Sequence, residues 1–331
     1  TGVNNTYVGA SAGLGATGNS NSHNTAVGMN ALLSVTTGSS NVAIGKQAGD
    51  SITDGGENVI VGDGAGQTTT SVAQAVIIGR GAAQNSDITT GANGTVAIGY
   101  KALEALIGGA NNVAVGVNAL LVNTTGHENT AVGRNVLDAC VGGASNTAMG
   151  ESALTTNISG DSNAAFGANA LNNATAGNNS GFGKSAGGSI SSGTDNTCIG
   201  YVAGNYQNNL TTGASNTIVG AYARTSAVGV SSELVLGRYA LGQGSSTATV
   251  DSDDPVHGDS SKTKQTNHGF IAQEVKEAID KHPEIKNNGA IWSKSPDGIQ
   301  KVSEGALVPM MVKAIQELSE QVEDLKKQIN K

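Results

Sequence analysis

One motif recurs fourteen times along this chain, roughly N-[TV]-A-[VI]-G-x-x-A, and its spacing leaves few architectures open. Its glycines are Gly9, Gly28, Gly45, Gly62, Gly79, Gly99, Gly116, Gly133, Gly150, Gly167, Gly183, Gly200, Gly220 and Gly237. Successive separations are 19, 17, 17, 17, 20, 17, 17, 17, 17, 16, 17, 20 and 17, so the period is 17 with small insertions. A unit this short cannot bury an apolar face alone, so its copies must stack, and a solenoid is expected. The stretch before the glycine, as in Asn112-Val113-Ala114-Val115, is too brief for a helix and β-branched at alternate positions. It predicts a strand of one rung, after which the glycine turns the chain.

The residue before each glycine is apolar in every copy, from Val8, Val27 and Ile44 through Met149, Phe166 and Phe182 to Leu236. The third residue after it is Ala in every copy but Val136, and both columns are expected to point inward. Asn stands four residues before the glycine in eleven copies, with Ala75, Thr95 and Glu233 in the other three. Its amide is expected to bond the local backbone or to stack into a ladder, and Asn tolerates left-handed turn geometry. Thr6, Thr25, Thr130, Thr147, Thr197 and Thr217 share a column with Val42, Val59, Val76, Val96 and Val113, an alternation of β-branched residues rather than an ice-ordering Thr ladder. Coils lined by Ala, Val and Ile enclose little volume, and a single chain of them would leave long edges exposed. Several chains packed about one axis answer both problems. Fourteen rungs would extend about 65 Å, with the insertions around Gly79–Gly99 and Gly200–Gly220 forming outer loops.

Composition agrees with a repeat shaft and sets its end. With 48 Gly and 3% aromatic residues, 331 residues cannot furnish ordinary globular cores. Residues 1–250 carry 7 Lys+Arg and 12 Asp+Glu, whereas the remaining 81 carry 11 and 14, and only 5 of the glycines. A boundary is therefore expected near Ser245–Asp259. The net charge of −8 comes without a Lys/Arg stripe, and the aromatics lie scattered in the sequence, which argues against nucleic acid as a partner. No apolar run approaches the roughly 18 residues of a membrane span, so membrane insertion is not expected. Cys140 and Cys198 lie three to four repeats apart, too far for a disulfide, and are expected to be small buried thiols.

Several strings imitate chemistry. Gly181-Phe182-Gly183-Lys184-Ser185 ends like a phosphate-binding loop, but Asn178 stands where its first glycine belongs, and the segment is one more copy of the repeat. Gly108-Gly109 and Gly142-Gly143 lack the recurring Asp of calcium-binding rolls, and the five His are isolated from one another and from Cys. No cofactor and no metal are expected. Asp50, Asp54, Glu57 and Asp63 lie near one another, as the carboxylate pair of a glycan-cleaving spike would, yet read as solvated charges.

The end of the chain is of different material. Gly269-Phe270-Ile271-Ala272-Gln273-Glu274-Val275 opens an amphipathic helix with Ile271, Val275, Ala278 and Ile279 on one face, and Pro283 ends it. Ala290-Ile291-Trp292 and Ile299-Gln300-Lys301-Val302 flank the turn sequence Ser295-Pro296-Asp297-Gly298 and predict a hairpin, with Trp292 as its core anchor. Val308, Met311, Ile315, Leu318, Val322, Leu325 and Ile329 then follow heptad spacing. Their β-branched a and Leu d positions lean toward two strands, while Leu307, Val312 and Ala314 widen the stripe as a larger bundle requires, so the seam alone leaves the oligomer order open.

The strings GFIAQEV (269–275) and ALVPMMVKAIQELSEQVEDL (306–325) together resemble the C-terminal intramolecular chaperone domain of phage tailspikes and tail fibres, over about 65 residues. The resemblance implies a domain that trimerises the fibre, templates the β-rich shaft before it, and releases itself by a Ser–Lys self-cleavage. Of the cleavage motif only Ser252-Asp253 is present; Pro255 and His257 stand where an Arg and the Lys belong. Without a deprotonated Lys beside it, Ser252 lacks its general base, so self-cleavage is expected to be slow or absent. The repeats also resemble, more loosely, the trimeric β-roll heads of bacterial autotransporter adhesins, whose stalk and β-barrel anchor have no counterpart in this sequence.

The combined expectation is a mainly β chain: a 17-residue-repeat β-solenoid or β-roll shaft (1–244), a linker (245–266) and a small α+β domain (267–331) ending in a coiled-coil helix (307–331). As a function, it predicts a trimeric phage tail fibre or spike, on the virion and outside the cell. Phe270, Ile271, Val275 and the heptad set would carry assembly, and the shaft would meet a host-surface receptor such as a glycan. The rival expectations are a bacterial cell-surface adhesin or filament, and a spike that depolymerises glycans. Beyond self-cleavage at Ser252, no enzymatic activity is expected.

Overall fold

The computed structural model describes residues 2–15, 19–84, 90–207, 209–250, 292–294 and 300–302. The chain divides into two compact units, Thr1–Lys264 and Gln265–Lys331. In the first, fifteen three-residue strands, numbered β1 to β15 from Thr6–Val8 to Ala248–Val250, form one parallel sheet in strict sequence order. A single 3-10 turn, Thr90–Ala92, is the only helical element among the described residues. The parallel solenoid of about 17-residue coils expected from the repeat is therefore present.

Each repeat position stacks on the same position of the next coil, as in Val113↔Thr130, Ala114↔Ala131 and Val115↔Val132. The ladder is not confined to the strands. Val113 N–H donates to Asn129 O at 2.8 Å and Gly116 N–H to Ile98 O at 2.7 Å, and beyond the turn Asn118 N–H reaches Tyr100 O and Leu120 N–H reaches Val136 O, both at 3.0 Å. Coil-to-coil pairing thus satisfies most of the backbone that a short-stranded chain would otherwise leave open. The motif glycine is needed for both conformation and space: Gly116 has φ +140°, and a Cβ there would lie 2.2 Å from Gly133 O.

The sheet runs one strand further than the motif. β15 pairs in register with β14 (Leu234–Leu236), although no motif glycine marks it, and so extends into the stretch expected to be linker. At about 4.8 Å per rung, the fifteen strands span some 65–70 Å.

The core corrects the expected sidedness. In β2 to β15 the middle residue is buried (Ala26, Ala43, Ile60, Ile77, Ala97, Ala114, Ala131 among them), and the residue before the glycine points outward. Val8 and Ile199, expected inside, are 56% and 41% exposed. The Ala column three residues after the glycine is inward as expected, from Ala31 and Ala48 to Ala223 and Ala240. The reason is the width of the coil. Leu32, Leu103, Leu120, Leu137, Leu154 and Leu171, four residues after the glycine, fill the interior from the opposite wall and leave room only for a small residue on the strand.

The two walls compensate each other in volume. Where Leu stands at that fourth position, the strand centre of the next coil is small: Leu103 with Ala114, Leu120 with Ala131, Leu171 with Gly181. A Cβ on Gly181 would lie 2.8 Å from Leu171 Cγ. In three of the five coils where the fourth position is Gly, the next strand centre is large, Ile60, Ile77 or Ile218; the other two have Ala26 and Cys198. Ideal Cβ positions on Gly49, Gly66 and Gly204 fall 3.0, 3.3 and 3.2 Å from the Cδ1 atoms of Ile60, Ile77 and Ile218.

The Asn column forms the expected ladder, and it is buried. Asn146 Nδ2 donates to Asn129 Oδ1 (3.1 Å) and to Gly160 O (2.9 Å), while its own Oδ1 accepts from the N–H (2.9 Å) and the Nδ2 (3.1 Å) of Asn163. Every donor and acceptor of the amide is used, which is what burying it requires. The left-handed geometry belongs to the residue before the Asn, with φ near +60° at His23, Ser40, Glu57, Glu128 and Asp195. Ala75 and Thr95 interrupt the ladder, and the Thr95 hydroxyl oxygen is buried without a partner. Glu233 ends it: its N–H donates to Asn216 Oδ1 (3.0 Å), and its carboxylate accepts from the N–H groups of Ser226 (3.2 Å) and Gly244 (2.6 Å).

In the second unit, β16 (Trp292–Lys294) and β17 (Gln300–Val302) pair antiparallel, as the hairpin reading expects. The helices expected at 270–279 and 307–331 lie outside the described residues.

Candidate functional site

Strand alternation places the first and third residues of β1–β15 together on the outer face of the sheet. The result is an uninterrupted strip in which one column is mostly Thr or Val and the other is Val, Ile, Met, Phe or Leu, with no charged residue in either. Val27, Ile44, Met149, Phe182 and Ile199 are exposed on it, and the Phe166 and Phe182 rings stack with centroids 4.9 Å apart. Charge lies at its two borders. On one side Glu57, Glu128 and Asp195 occupy the left-handed position. On the other, Lys46, Asp63, Arg80, Arg134, Glu151 and Lys184 follow the glycines, with Arg134 paired to Glu151. An apolar centre with a polar rim is the anatomy of a protein–protein interface. As a flat strip about 10 Å wide and 65 Å long it covers about 650 Å² before side-chain relief, close to the ~800 Å² per partner of a stable complex.

The residues singled out for assembly (Phe270, Ile271, Val275, Val308, Met311, Ile315, Leu318, Val322, Leu325 and Ile329) and for cleavage (Ser252) lie outside the described residues. The outer strip is not expected from the sequence, because the apolar column before the glycine reads there as interior. Its signal in the sequence was the apolar column itself, together with the chargeless Thr/Val column two residues before it.

The other sequence candidates resolve into structure. Gly183 of the phosphate-loop imitation has the turn conformation of every motif glycine (φ +131°), and its neighbour Phe182 belongs to the stacked pair on the strip. Asp50 accepts from the Ser51 hydroxyl and Asp54 from Thr53 Oγ1, both chain neighbours, and Glu57 accepts from Gln74 Nε2 on the next coil. Among the described residues no group of His, Cys, Asp and Glu could hold a metal ion, and no helix is long and apolar enough to cross a membrane. Cys140 and Cys198 are free, buried thiols; burial pushes both upward, Cys198 to about 12.

The aromatics scattered in the sequence do meet in space. Tyr201, Tyr206, Tyr222 and Tyr239 form one cluster, with Arg224 over the Tyr206 ring and Arg238 over the Tyr239 ring.

No protein-family model, curated protein or solved structure matches this chain.

Proposed function

We propose that this chain is a non-enzymatic fibre subunit, a phage tail fibre or spike shaft that assembles as a homotrimer through the outer face of its sheet and presents its other sides to a host surface. The observation that carries the reading is the chargeless apolar strip running the length of β1–β15. A partner covering such a strip must repeat at the same rise. A second copy of the chain does so by construction, rung against rung, with charged borders of both signs alongside. The resemblance of 269–275 and 306–325 to fibre chaperone domains supports three copies. It also assigns to Phe270–Ile279 and to the heptad residues Val308 to Ile329 the task of holding the chains in register while the shaft nucleates, a step made slow by loop closure.

The test is the native mass together with a charged substitution on the strip. Sedimentation equilibrium is expected to give three chains. Val115→Lys combined with Val132→Lys, both on the outer face, is expected to release single chains or aggregates while far-UV circular dichroism keeps its β signature. A stable folded monomer of the unsubstituted protein would sink the proposal. Normal fibre from Ile315→Asp with Leu318→Asp would remove the assembly role of the C-terminal helix.

A further inference from the structure

The second residue after each motif glycine sits in a left-handed turn, and in eleven of the fourteen coils it is small or polar, from Ser11, Asn30 and Gln47 through Gly64, Gly81 and Lys101 to Asn169 and Ser185. In the last two copies of the motif the same position holds Tyr222 and Tyr239, both at φ +60°. A tyrosine in left-handed geometry has nothing to gain over Asn, so the backbone does not ask for these rings. Tyr201 joins them from the turn of the preceding coil. Tyr206 joins from the three-residue insertion that lengthens that coil.

The four rings interlock. Tyr222 and Tyr239 stack face to face at 4.7 Å, Tyr201 and Tyr206 meet Tyr222 edge-on at 5.2 and 5.1 Å, and the guanidinium of Arg238 lies over Tyr239 at 4.8 Å. Arg224 lies 5.6 Å from the Tyr206 centroid, and its Nη1 donates to Tyr239 O at 3.3 Å. Tyr201 is 44% exposed. Loss of water contact, and then the neighbouring Tyr201 and Tyr239, push the Tyr222 phenol above its ordinary value. From Gly200 to Val250 the chain carries three charged residues, Arg224, Glu233 and Arg238. Glu233 is buried and turned to backbone N–H groups, so the charge near the surface here is positive on a chain of net −8.

We propose that Tyr201, Tyr206, Tyr222 and Tyr239 with Arg224 and Arg238 form a binding site for an acidic saccharide, a sugar chain bearing carboxylates. Guanidinium and phenol donors suit a carboxylate, and the open ring of Tyr201 suits the apolar face of a sugar ring. A neutral glycan would leave the cationic part of the site unused. The proposal rests on the reading of the shaft as an attachment fibre.

The experiment uses the full chain with oligogalacturonate and oligosialate as carboxylated probes and methyl-esterified oligogalacturonate as the uncharged control, measured by calorimetry or glycan array. Saturable binding of at least one carboxylated probe is expected, with at least tenfold weaker binding of the ester. Tyr222→Asn with Tyr239→Asn, which restores the residue other coils use, and separately Arg238→Gln are each expected to weaken binding at least tenfold without changing the native mass. The site is overturned if neither carboxylated probe binds, if ester and acid bind alike, or if binding survives the substitutions. A failure of binding with the trimeric mass intact overturns this site alone. A monomeric mass would overturn the fibre reading whatever the binding result.

Discussion

Replacing one amide of the buried Asn ladder measures how much of the shaft's cohesion that ladder supplies. Asn146→Ala removes four hydrogen bonds, two donated by Nδ2 and two accepted by Oδ1. Most of the former partners keep another. Gly160 O still accepts from Asn157 Nδ2 (3.0 Å), Asn163 Nδ2 still donates to Ala176 O (3.0 Å), and Asn129 Oδ1 still accepts the backbone N–H of residue 146 (2.9 Å). The exception is the Asn163 N–H, which is left buried without an acceptor. Stranding one such donor costs ~1–3 kcal/mol, and three further bonds whose partners stay satisfied contribute ~0.5 kcal/mol or a little more each, giving about 3 kcal/mol in total.

The opposite substitution exists at the natural gap. Thr95 has a buried hydroxyl oxygen without a partner, and Asn112 Nδ2 currently donates to Gly109 O (2.9 Å), the carbonyl that an amide at position 95 would use by the rule of the other coils. Thr95→Asn would place an acceptor beside the Asn112 N–H and is expected to stabilise by about 1 kcal/mol. Urea unfolding followed by circular dichroism reads both variants, with the slope of the transition checking that cooperativity is unchanged. If Asn146→Ala costs under about 1 kcal/mol, or if Thr95→Asn destabilises, the ladder is a by-product of stacking and the reasoning fails.

Further predictions concern the interior. Leu120→Gly is expected to cost roughly 3–4 kcal/mol by opening a cavity, and adding Ala131→Ile, the pairing used at Gly49 and Ile60, should recover at least half of the loss; additive damage in the double variant would refute volume compensation between the walls. Ala114→Asp, a charge at a fully buried position, is expected to prevent folding or cost several kcal/mol, whereas Asn118→Asp on the turn is close to neutral; equal melting temperatures would overturn the sidedness. Cys140 and Cys198 should not react with a thiol reagent at pH 8 until the coils open, so labelling rates report local opening. Because burial raises Cys198 from 9.0 to about 12, the unfolded chain ionises first as pH rises. The thiol's contribution to stability is full below the unfolded value, near 9, and is lost as pH climbs toward 12, so Cys198→Ala should flatten the alkaline fall in melting temperature.

The repeat, the strand before each glycine, coil stacking, the Asn ladder and the two free thiols were all legible in the sequence, because each follows from local geometry repeated at a fixed interval. A strand of three residues puts its first and third side chains on one face whatever surrounds it, and a glycine with φ near +135° turns the chain whatever follows. Which face looks inward was not local. Val115 and Ala114 are equally plausible as core residues by composition; the choice belongs to the opposite wall, where Leu103 and Leu120 take up the space and admit only Ala. Those leucines were themselves hidden, since they stand in left-handed conformations (φ +53° and +52°) that Leu rarely adopts and that only stacking on the neighbouring coils sustains. The Tyr–Arg cluster was hidden for the same reason. Residues 201, 206, 222, 224, 238 and 239 are strangers along the chain, and they become neighbours only because winding at 17 to 20 residues per coil brings them to one patch of surface, a distance of one or two rungs in space.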